Sequence, residues 1–272
     1  MSSFKIAVCQ IRTELEQEET MLKAEKYVRE AAQAGADFVC LPEMFNCPYT
    51  QHYFNLYARL GHESVVERMS AWARENSVYL IGGSICEYED GKIYNSCFIF
   101  DREGRQIAKH RKVHLFDIDM PKMRFKESDT FTPGDSATTF ETEFGTMGAA
   151  ICFDGRFSEI FRAEAMRGAK VIFLPAQFNM TTGPLHWDLM LRGRAVDNQL
   201  FFVGASAARY EGFKYECWGH SSVVNPMGKI IAALDEKEGI LLCEIDLDEV
   251  EDFRARLPIM SGLREDVYDV AR

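Results

Sequence analysis

The sequence has no C-x-x-C pair, no G-x-S-x-G elbow, no G-x-x-x-x-G-K-[ST] loop and no G-x-G-x-x-G run. These absences remove the usual signs of a zinc ribbon, an α/β serine hydrolase, a phosphate-cradling loop and a dinucleotide site. Its six histidines, His52, His62, His110, His114, His186 and His220, show no zinc-ligand spacing, so neither metal nor cofactor is expected. Positive charge is short: 31 Lys and Arg stand against 42 Asp and Glu, a net charge of −11. That balance argues against nucleic-acid binding and disfavours anionic membranes. No apolar run reaches the roughly 18 residues of a membrane span. The start, Met1 to Val8, lacks the basic region, apolar core and cleavage site of a signal peptide. Several of the eight cysteines (Cys9, Cys40, Cys97, Cys243) fall inside apolar strand patterns. Buried free thiols and a cytoplasmic location are the expectation.

What remains is the composition of a globular protein, 47% hydrophobic and 27% charged over 272 residues. No linker or low-complexity stretch divides it, so a single domain over 1–272 is expected. Strand-like and helix-like runs alternate. Strands are expected near 4–9, 38–41, 78–82, 92–100, 106–111, 146–151, 171–174, 200–205, 221–225, 229–234 and 240–245. Helices are expected near 18–34, 63–76, 158–167, 185–198 and 247–257, with Ser158 as an N-cap. Residues 32–46 match 165–179 without a gap in the frame A-x-x-G-A-x-x-x-x-L-P-x-x-F-N. Each copy ends a helix at glycine and runs a strand into proline. Two related β-α-β halves are therefore expected, with their strand ends facing one crevice. The copies differ where chemistry would show: Glu43 in the first stands against Ala176 in the second.

Three islands carry reactive side chains at strand ends: Leu41-Pro42-Glu43, His110-Arg111-Lys112-Val113-His114 and Ala150-Ile151-Cys152-Phe153-Asp154. A thiol attacks an amide when a base takes its proton and a cation holds the oxyanion. Glu43, buried in an apolar run, would be a usable base near neutral pH. Lys112 shares a strand face with His110, opposite Arg111 and Val113. Cys152, between a strand end and a helix start, is expected to meet free N–H groups that lower its pKa.

With these residues the chain resembles the nitrilase, or carbon–nitrogen hydrolase, superfamily, and within it an omega-amidase-like branch. The likeness runs from Lys5 to Tyr268; the branch is carried by residues 41–49, 112–119, 125–128, 178–187, 194–198 and 218–221. The resemblance implies a four-layer α-β-β-α sandwich. It implies Glu43 as general base, Cys152 as nucleophile, and Lys112 with the Phe153 N–H as oxyanion holder, with Glu127 a second glutamate near the thiol. The implied reaction forms a thioester as ammonia leaves. Homodimers or larger homo-oligomers are implied too. The branch implies a dicarboxylate monoamide such as 2-oxoglutaramate or 2-oxosuccinamate. Arg156 is the candidate for the far carboxylate, and Tyr49, Asn179 and Thr181 for hydrogen bonds to the substrate. Gly155 and the residues Thr50, Gln51 and His52 depart from relatives, and both are expected beside the substrate tail. The alternatives are an N-carbamoyl-amine or amino-acid amidohydrolase, a deaminated-glutathione amidase, or an inactive binding module.

Overall fold

The computed structural model describes residues 3–120, 123–210, 212, 215–264 and 266–268. Met1, Ser2 and Glu265, which the readings of the two ends touched, lie outside the described residues. The chain opens with β1 (Ser3–Gln10), α1 (Gln17–Gln33), β2 (Phe38–Cys40), α2 (Gln51–Leu60), α3 (Glu63–Asn76) and β3 (Tyr79–Ile81). Then come β4 (Ile85–Glu89), β5 (Lys92–Phe100), β6 (Gln106–Arg111) and the hairpin of β7 (Asp117–Met120) with β8 (Met123–Lys126). The second half holds β9 (Thr138–Thr142), β10 (Gly145–Ala149), α4 (Ser158–Met166), β11 (Val171–Ala176), α5 (Gly183–Asn198) and β12 (Phe201–Ser206). It closes with β13 (Ser222–Val224), β14 (Ile230–Ala233), β15 (Gly239–Asp246) and α6 (Asp248–Arg256).

The repeat is visible in the sheets. One runs β15-β1-β2-β3-β5, with β4 and β6 both paired to β5; the other runs β14-β13-β12-β11-β10-β9. In each, three neighbouring strands are parallel, β1-β2-β3 and β10-β11-β12, and antiparallel strands flank them. Helices α1 and α4 make the first crossovers, α3 and α5 the second. Even the helix ends match: α3 stops at Ser77 (φ 53°) and α5 at Gln199 (φ 51°), both left-handed.

Alternation along the strands builds the layers. Phe4, Ile6 and Val8 of β1 join a core shared with the second sheet, while Ala7 and Cys9 lie under α1 and α3. Phe38 of β2 stacks on Phe173 of β11 at 5.7 Å between ring centroids, and Phe161 of α4 covers Phe202 of β12 at 5.0 Å. The order is thus helices, sheet, sheet, helices, the expected α-β-β-α sandwich. Burial of each such ring contributes about 1.5–3 kcal/mol.

Two local expectations need correction. Phe157, not Ser158, holds the capping position of α4; Ser158 is its first helical residue and its hydroxyl turns to Glu159. Helix α2 was not expected, since no element was read between residues 41 and 63. Its Phe54, Tyr57 and Ala58 form one buried stripe, which closes a small core with Met44, Cys86 and Phe131. All eight cysteines are buried and unpaired. No helix among the described residues is long and apolar enough to cross a membrane.

Candidate active site

Strand β2 stops at Cys40, whereas its counterpart β11 continues through Pro175 to Ala176. The early stop frees Pro42-Glu43-Met44 to turn inward. Met44 takes a left-handed φ of 45°, and its N–H donates to Ser84 Oγ at 3.0 Å. Gly83 (φ 61°) is required beside this turn, because a Cβ there would lie 2.2 Å from the Pro42 carbonyl oxygen. The turn aims Glu43 into the space between the sheets, where it is fully buried. Its Oε1 accepts from Lys112 Nζ at 2.8 Å and Asn95 Nδ2 at 2.9 Å; its Oε2 accepts from the Gln177 N–H at 3.0 Å.

Lys112 follows β6, held by its N–H on the Asn95 carbonyl at 2.9 Å. As expected from strand alternation, it is buried with His110, while Arg111 faces outward and pairs with Glu87. Its ammonium also donates to Glu127 at 3.0 Å. Glu127 starts a short 3₁₀ turn, Glu127–Asp129, and accepts from the Phe116 N–H at 2.7 Å and from the Tyr49 hydroxyl. Four of the expected residues, Glu43, Lys112, Glu127 and Tyr49, therefore meet in one buried network.

Cys152 opens a second 3₁₀ turn, Cys152–Arg156, with Ala150 and Ile151 between it and β10. Its φ of 43° is left-handed, a conformation that costs a non-glycine residue about 1–3 kcal/mol and is typical of residues held for chemistry. Asp154 holds the turn: its carboxylate accepts from the Ile151 N–H and His110 Nε2 at 3.0 Å, and from the His114 N–H at 2.8 Å. Both flanks of Lys112 are thus tied to the turn that carries the thiol. Cys152 and Phe153 lead this turn, so their N–H groups have no acceptor within it.

The charges decide how the thiol can react. Burial pushes the Cys152 thiol well above its usual range; the Glu43 carboxylate adds to the rise and Lys112 opposes it. The expectation of a lowered thiol pKa is therefore not met: desolvation outweighs the opposing Lys112 ammonium. Burial also raises the Glu43 pKa, with Lys112 opposing and Glu127 reinforcing. Burial alone would lower the Lys112 pKa, but the facing carboxylates of Glu127 and Glu43 raise it, so it stays an ammonium. The arrangement suits proton transfer from thiol to carboxylate during attack, rather than a standing thiolate. If Glu43 must be ionised, activity falls as pH drops through its raised pKa. The acid limb of kcat/KM then lies above the ordinary glutamate value of 4.5. A pH–rate profile checks this: a limb at or below that value contradicts a buried base.

A cleft opens over Cys152, and Phe153, Arg156 and Asn179 line it with Phe116, Phe178 and Tyr215. Arg156 is half-buried, packs over the Phe153 and Phe178 rings, touches His186 Nδ1 at 3.2 Å and has no carboxylate partner among the described residues. Burial lowers its pKa. Other expectations fare differently. Thr181 is exposed; its neighbour Thr182 lines the cleft instead. Tyr49 spends its hydroxyl on Glu127. Gly155 does not line the cleft beside the substrate: it packs against Met190, where a Cβ would lie 2.7 Å from the Sδ. Gln51 begins α2, bonds the Lys126 carbonyl and does not line the cleft.

Sequence reasoning missed Asn95, Asp154, Gln177 and Tyr215. Gln177 alone had a signal: the repeat aligns it with Met44, next to the base. Its side chain donates to the Glu43 carbonyl at 2.6 Å, so the second half's Leu-Pro loop braces the first half's carboxylate.

Known proteins resemble the chain along its whole length. The family model described as carbon–nitrogen hydrolase matches residues 5–255. Omega-amidase NIT2 of Bos taurus is 44% identical over 271 residues, 99% of this chain and 98% of that protein. Nitrilase homolog 2 of Dictyostelium discoideum is 45% identical over 268 residues, 97% of this chain and 82% of that protein. Among solved structures, Saccharomyces cerevisiae Nit3, a member of branch 10 of the nitrilase superfamily, superposes with a TM-score of 0.90 at 36% identity. That likeness covers 98% of this chain and 97% of the other.

Proposed function

The chain belongs to the carbon–nitrogen hydrolase family, and from that premise we propose that it is an omega-amidase working through Cys152, Glu43 and Lys112. As the sulfur attacks the amide carbon, Glu43 takes the thiol proton. The developing oxyanion is held by Lys112 Nζ, which has a third proton beyond its two carboxylate bonds, and by the Phe153 N–H. Glu43 then gives the proton to the leaving nitrogen, and ammonia departs from a thioester. Water follows, deprotonated by Glu43, and the acid leaves as the proton returns to sulfur. Glu127, fixed by Tyr49 and the Phe116 N–H, positions the ammonium. The observation that carries this reading is a buried ammonium bonded to a buried carboxylate, with a left-handed cysteine held against them and opening onto a cleft.

The substrate class follows from the relatives' names and from Arg156. A half-buried guanidinium with no carboxylate partner, at the end of the nucleophile's own turn, suits the far carboxylate of a monoamide such as 2-oxoglutaramate or 2-oxosuccinamate. Asn179 and Thr182 suit its polar atoms. Arg156→Met is expected to raise KM for acidic amides by about 10–100-fold, the loss of one charged contact, and to leave neutral amides nearly unchanged. Equal effects on both reject the role. The wider test is ammonia release from 2-oxoglutaramate, succinamate, deaminated glutathione, an N-carbamoyl amine and a nitrile. Preference for either of the last two sinks the omega-amidase reading.

A cytoplasmic homo-oligomer is part of the proposal. Leu185 and Leu189 on α5, beside the cleft, are 69% and 72% exposed. Such side chains suit contact with a second copy. Leu189→Asp is expected to lower the mass seen by light scattering; an unchanged mass rejects this face.

A further inference from the structure

A second cleft lies next to the first, and the two share Gln177 and Tyr215 as lining. Arg12, Thr13, Tyr210 and Cys217 face only the second one. We propose that Gln177, backed by Tyr215, is a partition that admits only an unsubstituted amide nitrogen. The second cleft is then the space a leaving-group substituent would occupy if the partition were gone.

The partition is built, not incidental. Gln177 is 4% exposed, and both ends of its carboxamide are committed. Nε2 donates to the Glu43 carbonyl at 2.6 Å, and Oε1 accepts from the Cys217 thiol at 3.1 Å. The Tyr215 hydroxyl donates to the Gln177 carbonyl at 2.7 Å. The segment bearing Tyr215 and Cys217 is fastened alongside: Cys217 bridges Asn179 in antiparallel fashion, and the Trp218 N–H donates to the Phe178 carbonyl at 2.7 Å.

Its position relative to the reaction gives it a role. This step rests on the reading that the acyl tail points to Arg156, at the far end of the Cys152–Arg156 turn. The leaving nitrogen must then face Glu43, which returns a proton to it. Glu43 is bonded to the Gln177 N–H at 3.0 Å, so the nitrogen arrives against Gln177. With a primary amide, the carbon–nitrogen bond breaks and ammonia leaves with the Glu43 proton. With an N-alkyl amide the same bond would break and an amine would leave with that proton, but its alkyl group would run into the Gln177 carboxamide and the Tyr215 ring.

The test compares kcat/KM for a primary amide with that for the N-methyl and N-propyl amides of the same acid. In Gln177→Gly the discrimination between them is expected to fall by about tenfold or more, the range for one steric contact in a pocket. Both substrates meet the same weakened base, so the ratio removes that loss. Adding Thr13→Trp, which refills the second cleft, should restore the discrimination. A second arm needs no turnover: the rates at which iodoacetamide and N-ethyliodoacetamide label Cys152 are compared by mass spectrometry. Selectivity for the smaller reagent should drop in the variant. Unchanged selectivity in both arms overturns the proposal. If the native protein released ammonia from no acidic amide, the proposed substrate class would fail, yet the labelling arm would still read the partition.

Discussion

Cys152→Ala is expected to abolish ammonia release, lowering kcat by about 10⁴-fold or more, as loss of a nucleophile does in comparable covalent hydrolases. The same change should leave folding almost untouched. The thiol is buried but bonds weakly, 3.9 Å from the Gln177 carbonyl. Alanine tolerates the left-handed φ of 43° no worse than cysteine does. The variant also removes an acid held against the Glu43 carboxylate. Its melting temperature should stay within a few degrees of the native protein, a change of about 1 kcal/mol at most. Activity and stability thus separate in this variant. A collapse of both would mean that Cys152 is a packing residue.

Lys112→Met should lose both together. The ammonium is fully buried between Glu43 and Glu127, at 2.8 and 2.9 Å. Removing it leaves two carboxylates with no cation inside the sandwich, and breaking a buried pair from one side costs about 3–5 kcal/mol. Turnover should also fall to background, because the oxyanion loses its charge partner. The pH dependence gives the sign. Glu43 already has a raised pKa in the fold, and loss of the opposing Lys112 raises it further. The folded variant then holds a proton that the unfolded chain releases, so its stability falls as pH rises through that raised pKa. The deficit against the native protein should be smallest at mildly acidic pH and grow towards neutral. Denaturant unfolding at several pH values measures this. A deficit that grows on acidification contradicts the buried network.

The parts of the site that lie in one stretch of chain were legible in the sequence. Glu43, Lys112 and Cys152 each sit in an island whose apolar flanks announce a strand end. The repeat placed Glu43 and Cys152 in related halves, and the two sheets pair their strands in matching order. What depends on tertiary contact was not legible. Asn95 reaches Glu43 because β5 pairs with β3, and β3 with β2, the strand that leads into Glu43. Tyr215 approaches from a segment far along the chain. The thiol's pKa was misjudged because a strand end and a turn suggest N–H groups, whereas the dominant effect is desolvation by burial. Thr181 and Thr182 could not be told apart, since Asn179 Oδ1 accepts from both backbone N–H groups and fixes which side chain turns inward. Glu127 was reached through family resemblance, and the structure supplies its physical reason: it completes the ammonium's cage.

The central claim is that the amide carbon becomes bonded to Cys152 while ammonia leaves. Mixing the native protein with 2-oxoglutaramate, quenching in acid within one turnover and mapping peptides by mass spectrometry tests it directly. The account predicts an acyl adduct on Cys152, with the mass of the substrate less ammonia, absent from Cys152→Ala. An adduct on another residue, or full turnover by Cys152→Ala, would contradict it.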